Sequence, residues 1–87
     1  MPMYPDQAQL TQLEEKCLAI FQTGGGESAP EIAEQLLELP GLPMHSPYHH
    51  YLVAAALLTS AAMRTGLEES QYRRKMATAR ERAAQVQ

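Results

Sequence analysis

The sequence predicts an all-α fold, a four-helix bundle-like domain with a central apolar helix at about residues 47–65. Two observations support this prediction. Apolar residues recur at steps of three and four in three segments, which is the spacing of one helix face, and a fourth segment is apolar on every side. Residues that start or stop helices separate these segments, and no segment shows the sustained alternation typical of a strand. We expect the 87 residues to form a single helical domain over 1–87, or part of a larger domain.

The first helix should begin near Pro5 or Asp6 and end at Thr23, because three consecutive glycines follow it. Its predicted buried stripe is Leu10, Leu13, Cys17 and Phe21. The second helix should open at Ser28, with Glu31 completing a capping box, and stop at Pro40. Its predicted buried stripe is Ile32, Ala33, Leu36, Leu37 and Leu39.

The third helix is predicted to be the central one. Ser46 suits the N-cap, Pro47 the first helical position and Gly66 the terminator after Thr65. From Leu52 to Met63 the helix is apolar on every side, which is typical of a buried helix. Because two or three other helices can barely surround it, the sequence leaves room for a second subunit or further structure.

The fourth helix should run from about Glu68 to Gln85. Glu69 and Arg73 have the i,i+4 spacing of a favourable ion pair. A heptad-like seam is predicted to face the bundle, formed by Tyr72, Met76, Ala79, Ala83 and Val86.

The N-terminal and C-terminal parts of the chain carry opposite net charges. Residues 1–63 carry one lysine and seven acidic residues, giving −6, whereas residues 64–87 carry six basic and three acidic residues, giving +3. We expect the basic tail to pair with the acidic front half. The overall net charge of −3 and the absence of a concentrated, aromatic-rich basic face disfavour a nucleic-acid partner.

Compartment and membrane association follow from two further features. The single cysteine, Cys17, rules out a disulfide within the chain and favours a reducing compartment. The N-terminal residues lack the pattern of a signal peptide, and the apolar run is shorter than the roughly 20 residues of a membrane span. We therefore predict a cytoplasmic protein with no membrane association.

The candidate site is a histidine cluster, His45, His49 and His50, at the start of the third helix. The positive end of the helix dipole disfavours imidazolium, and neutral imidazole ligates metals such as zinc. However, His49 and His50 project about 100° apart on a helix, and zinc usually takes three or four protein ligands. Two interpretations stay open: a metal site formed by the three histidines, or separate polar side chains at the start of a buried helix.

Three other features of the sequence have ordinary structural explanations. Cys17 lies on an apolar stripe, which indicates a buried, inert thiol. Gly24–Gly26 lacks the Lys-Ser/Thr ending of a phosphate-binding loop, so a connection between helices is the better interpretation. The run of residues 73–75 is basic, and a solvated helix face accounts for it.

The stretch PMHSPYHH, residues 43–50, followed by Leu52-Val53 and Ala-Leu-Leu, resembles an uncharacterised bacterial and archaeal domain family. The signature of that family is PMHGPEHH running into an apolar helix. The resemblance covers roughly Ile32 to Val86 and implies occasional linkage to radical-SAM or methyltransferase-like proteins. This chain has Ser46 and Tyr48 where the signature has Gly and Glu, and it lacks the Cys- and Gly-rich segment that follows in the family. The resemblance therefore implies either a truncated piece or a shortened relative, and supplies no activity.

These observations lead to two functional hypotheses. The first is a helical module that acts through self-association or a protein partner, because the third helix is apolar all round. The alternative is a metal- or cofactor-binding accessory domain that uses the cluster His45, His49 and His50, with zinc as the candidate ion. The sequence identifies no substrate and no reaction.

Overall fold

The computed structural model describes residues 7–24, 28–39 and 46–85, with side chains from Tyr48 onward in the last range. Four helices make up the fold: α1 (Gln7–Thr23), α2 (Ala29–Leu37), α3 (Ser46–Thr65) and α4 (Glu69–Ala84). No strand occurs in these ranges. The predicted all-α fold is therefore confirmed. The expected helix start at Pro5 or Asp6, the stop at Pro40 and the seam position Val86 lie outside the described residues.

Capping at the start of α2 follows the sequence prediction. The Ser28 backbone N–H donates to Glu31 Oε1 at 2.8 Å, and the Glu31 N–H donates to Ser28 Oγ at 3.4 Å. This reciprocal pair is a capping box, and it satisfies amides that the helix leaves without partners. The hydrogen bonds from the Ser28 backbone and hydroxyl hold the pKa of Glu31 below its usual value.

Glycines end α1 and α3 in the left-handed conformation that side chains rarely adopt. Gly24 has a φ of 57° and its N–H donates to the Ile20 carbonyl at 3.0 Å. Gly66 has a φ of 67°, and the following Leu67 N–H reaches back to the Ala62 carbonyl at 3.0 Å. These bonds satisfy carbonyls at the helix ends and let the chain reverse direction.

Helix α3 is the centre of the bundle, as predicted, because α1, α2 and α4 all pack against it. Eight of its described residues are nearly inaccessible: Tyr48, Tyr51, Leu52, Ala55, Ala56, Thr59, Ser60 and Ala62. The small side chains of the alanines let neighbouring helices approach closely. One face of α3 remains uncovered, where Val53 is 39% and Leu57 is 56% exposed.

The remaining core comes from one stripe on each outer helix. It consists of Leu10, Leu13, Cys17 and Ile20 on α1, Ile32 and Leu36 on α2, and Tyr72, Met76 and Ala83 on α4. Phe21 is half-buried and stacks on Tyr72 with ring centroids 4.3 Å apart, which joins α1 to α4. Ala33, Leu39 and Ala79 are half-buried against the core rather than inside it.

The prediction that Leu37 belongs to the buried stripe of α2 is wrong, because its side chain is 44% exposed. Ile32 and Leu36 are four residues apart and share one face, whereas Leu37 lies about 100° round the helix from Leu36. A nine-residue helix packed on one side buries only that face.

Ion pairs and hydrogen bonds join the acidic front of the chain to its basic tail, as expected. Arg80 Nη1 lies 3.4 Å from Glu14 Oε2, which connects α4 to α1, and Arg80 also donates to Gln7 Oε1. The predicted pair within α4 forms with 3.0 Å between Arg73 Nε and Glu69 Oε2. No helix in the described residues has the length and apolarity needed to cross a bilayer.

Two adjacent leucines of α2 test this packing. Leu36 is completely buried, so Leu36→Ala should lower the free energy of unfolding by about 2–5 kcal/mol through lost burial and a cavity. Leu37→Ala removes a largely exposed side chain and should change it by no more than about 0.5 kcal/mol. Urea unfolding followed by circular dichroism compares them directly. Equal losses for both variants would show that α2 is packed differently.

Candidate functional site

The predicted histidine site is only partly within the described residues. His49 and His50 both lie in the first turn of α3 with exposed side chains, and His45 lies outside the described ranges. His50 borders a groove between α3 and α4, while His49 does not line it. Within the described part of the chain, no three His, Cys, Asp or Glu side chains gather in a group suited to a metal ion.

The groove that His50 borders lies between α3 and α4. It has a volume of about 760 Å³ and is open to solvent. The apolar part of its lining comes from α3, the α3–α4 turn and α4: Ala54, Leu57, Leu58, Leu67, Ala79 and Ala83. Leu57, the most exposed large apolar side chain of the described chain, thus lies in a concave surface and not on a convex one. We call this feature the α3–α4 groove.

The charged residues of the α3–α4 groove all have the same sign. Arg74, Lys75 and Arg82 of α4 line it, and no carboxylate of the described residues does. All three are exposed, and none forms an ion pair with another described residue. The α3–α4 groove therefore combines an apolar surface with positive charge that the described part of the chain leaves uncompensated.

A second groove, between α1 and α4, has the opposite character. Arg73 and Arg80 line it, but so do the carboxylates of Glu14, Glu15 and Glu81. Arg80 donates hydrogen bonds to the side chains of Glu14 and Gln7. The positive charge on this side of α4 is thus compensated within the chain, so the uncompensated charge is confined to the side facing the α3–α4 groove.

Polar side chains also meet in the centre of the bundle, where Cys17, Tyr48, Thr59 and Tyr72 are all buried. A 2.6 Å hydrogen bond joins the Thr59 and Tyr72 hydroxyls, and Thr59 Oγ1 donates to the Ala55 carbonyl at 2.7 Å. The Tyr48 hydroxyl has no hydrogen-bond partner among the described residues. The sequence pattern does not predict that three helices bring these residues together.

Tyr51, one turn after Tyr48, extends this polar region towards the surface. Its hydroxyl donates to Glu14 Oε2 at 2.7 Å, and the same oxygen faces Arg80. Burial and the hydrogen bond to the Glu14 carboxylate raise the pKa of Tyr51, with Arg80 opposing the shift only weakly. This chain of contacts joins α3, α1 and α4.

The buried groups are held in their neutral forms at physiological pH. Burial raises the pKa of Cys17 to about 11 and that of Tyr48 to about 12, and it also raises the pKa of Tyr72. A nucleophilic cysteine needs a lowered pKa and access to substrate. Cys17 has neither: its predicted burial is confirmed, and the raised pKa of a buried thiol does not favour nucleophilic chemistry.

These shifts make stability depend on alkaline pH. The thiol ionises near its ordinary pKa of 9.0 when the chain is unfolded but near about 11 when folded, so the unfolded state loses its proton first. The thiol alone should make the free energy of unfolding fall above pH 9 with a slope of about 1 kcal/mol per pH unit. The buried tyrosines, whose pKa values are also raised, add to this fall as the pH approaches 10. Urea titrations from pH 8 to 10 measure the slope. In Cys17→Ala the fall between pH 9 and 10 should be roughly halved, because only the tyrosines remain, and an unchanged slope would contradict the assignment to Cys17.

Comparison with known proteins gives a family but no activity. No curated protein and no solved structure matches the chain. A family model described as "Family of unknown function (DUF5714)" matches residues 17–87. The match confirms the resemblance to an uncharacterised family and extends further towards the N-terminus than the predicted start at Ile32. It includes the four described helices apart from the first part of α1. The chain therefore belongs to the DUF5714 family, a family of unknown function.

Proposed function

We propose that this domain is a protein-association module that binds an acidic amphipathic helix in the α3–α4 groove. The observation that carries the proposal is the combination of an apolar groove surface with Arg74, Lys75 and Arg82, and with no carboxylate among the described residues of its lining. An amphipathic helix buries its apolar stripe in such a groove, and acidic residues flanking that stripe would face the three cations.

Other ligand classes fit these contacts less well. Small-molecule pockets typically enclose most of the ligand surface, whereas this groove is open to solvent. Nucleic acids would use the cations but would leave Leu57 and Leu58 without apolar contact, and the described residues of the groove include no Phe, Tyr or Trp for base stacking. A protein segment satisfies both the apolar and the charged parts of the lining. A reducing compartment such as the cytoplasm agrees with the free, buried Cys17 thiol.

A designed peptide tests this proposal without knowledge of the natural partner. An 18-residue helical peptide with a leucine stripe flanked by glutamates should bind the protein in a fluorescence anisotropy titration, and the same peptide with lysines for glutamates should not. Leu57→Asp should weaken binding at least about tenfold, because it places a charge in the apolar contact and repels the glutamates. Raising the salt concentration should weaken binding too.

Ala77→Asp is the matched control, because Ala77 is exposed in the middle of α4 and lines the other groove. It should bind the acidic peptide as the unmodified protein does. Equal binding of both peptides, or tighter binding of a DNA or RNA duplex than of the acidic peptide, would contradict the proposal.

The metal-binding hypothesis is a second proposal, supported by the position of His49 and His50 in adjacent exposed sites near a groove end. It requires ligands beyond these two, with His45 as the sequence-predicted third. Under this hypothesis, protein purified without chelators should contain about one equivalent of zinc, and His49→Ala/His50→Ala should lose it. Elemental analysis together with melting curves with and without added zinc measures this. A zinc content below about a tenth of an equivalent, with no change in the melting temperature on adding zinc, would contradict the metal-binding hypothesis.

A further inference from the structure

We infer that the acidic helix that enters the α3–α4 groove is α2 of a second copy of this chain. This inference rests on the proposed function of the groove and names its occupant. The resulting contact joins two different surfaces, so each copy offers one groove and one α2 helix.

The exposed apolar residues identify α2. Only three large apolar side chains are exposed in the described part of the chain: Leu37, Val53 and Leu57. Leu57 lines the α3–α4 groove, and Val53 lies one helical turn before it. Of these three residues, only Leu37 lies outside α3, on α2. The apolar surface that the described helices leave unburied therefore falls into two patches, which can cover one another.

The charges around the two patches are opposite. Glu34 and Glu38 lie three residues before and one residue after Leu37, and both are exposed. Neither forms an ion pair with another described residue. In the groove, Arg74 and Lys75 are likewise exposed and have no carboxylate partner among the described residues. The patch around Leu37 is therefore bordered by acidic groups and the groove by basic groups, and the described part of the chain compensates neither set.

The position of α2 prevents it from filling the groove of its own chain. Ile32 and Leu36 hold it in the core, with α1 and α3 packed against it. No residue of α2 lines the α3–α4 groove. The contact must therefore be made between chains. A self-matching contact of groove against groove is disfavoured, because it would place the cations of both copies together.

The expected affinity is low. A helix of nine residues in one groove gives a contact at or below the low end of stable interfaces, roughly 1,200 Å² in total. We therefore expect association in the range of about 0.1–1 mM, with strong dependence on salt. Because the two surfaces differ, association forms rings or chains unless two copies exchange their helices reciprocally.

Two variants, each lacking one surface, test the contact. Arg74→Glu/Lys75→Glu replaces positive charge in the groove with negative charge and leaves α2 unchanged. Leu37→Asp replaces the exposed apolar side chain of α2 with a charged one and leaves the groove unchanged. Each variant alone should be monomeric in sedimentation equilibrium up to about 1 mM, while the unmodified chain associates. An equimolar mixture should recover one contact and form a heterodimer, because the intact α2 of one variant meets the intact groove of the other. Native mass spectrometry identifies that dimer by its mass.

The controls separate this contact from general effects of charge and folding. Arg64→Glu/Lys16→Glu changes the net charge equally at positions outside both grooves, and Ala77→Asp adds the same side chain as Leu37→Asp to an exposed helix position. Both should associate as the unmodified chain does. Circular dichroism melting confirms that every variant is folded.

The outcomes also separate this inference from the proposed function. Undiminished association of Leu37→Asp, or a mixture that stays monomeric, would overturn the inference. If the unmodified chain is monomeric at 1 mM but Leu57→Asp weakens binding of the designed acidic peptide, the inference fails and the proposed function stands. If the peptide does not bind either, both fail.

Discussion

The structure depends on covering α3. This helix is apolar round most of its circumference, and water contact with that surface is the largest unfavourable contribution that the fold removes. The three other helices each supply one stripe, and together they cover the faces that carry Leu52, Ala55 and Ala62. Three amphipathic helices enclose three sides of a cylinder, which leaves the strip with Val53 and Leu57 in contact with solvent. The α3–α4 groove follows from this geometry.

Polar groups inside the bundle determine how the outer helices are oriented. The Thr59–Tyr72 hydrogen bond fixes α4 against α3, and the Tyr51–Glu14–Arg80 contacts join α3 to α1 and α4. Buried polar groups are costly when unpaired, so alternative arrangements of the helices that separate these partners are disfavoured. Leucines and alanines favour collapse around α3, while these contacts favour one arrangement of the collapsed helices.

The sequence predicted the helices well because their signals are local. Ser28 and Glu31 form a capping box, Gly24 and Gly66 end helices, and the stripe spacing identifies the buried faces; each signal spans a few residues. Leu37 was placed incorrectly in the core because a nine-residue helix is too short for periodicity to define the width of its buried face. The α3–α4 groove was not predicted, since it joins Leu57 to Arg74 and Lys75, and periodicity within one helix does not show how two helices pack. The histidine cluster stood out in the sequence, whereas the groove that His50 borders is formed mainly by residues from later turns of α3, from the α3–α4 turn and from α4.

The stacking of Phe21 on Tyr72 and the contact of Glu14 with Arg80 affect the shape of the α3–α4 groove. These contacts hold α4 to α1 at two points separated by eight residues of α4, about 12 Å along its axis. They restrain the tilt of α4, and with it the width of the groove on its other side, from positions outside the groove lining. A change at residue 14 or 21 would therefore alter the shape of the groove without changing a residue that lines it. Relatives with the same groove lining can differ in groove shape through residues of α1.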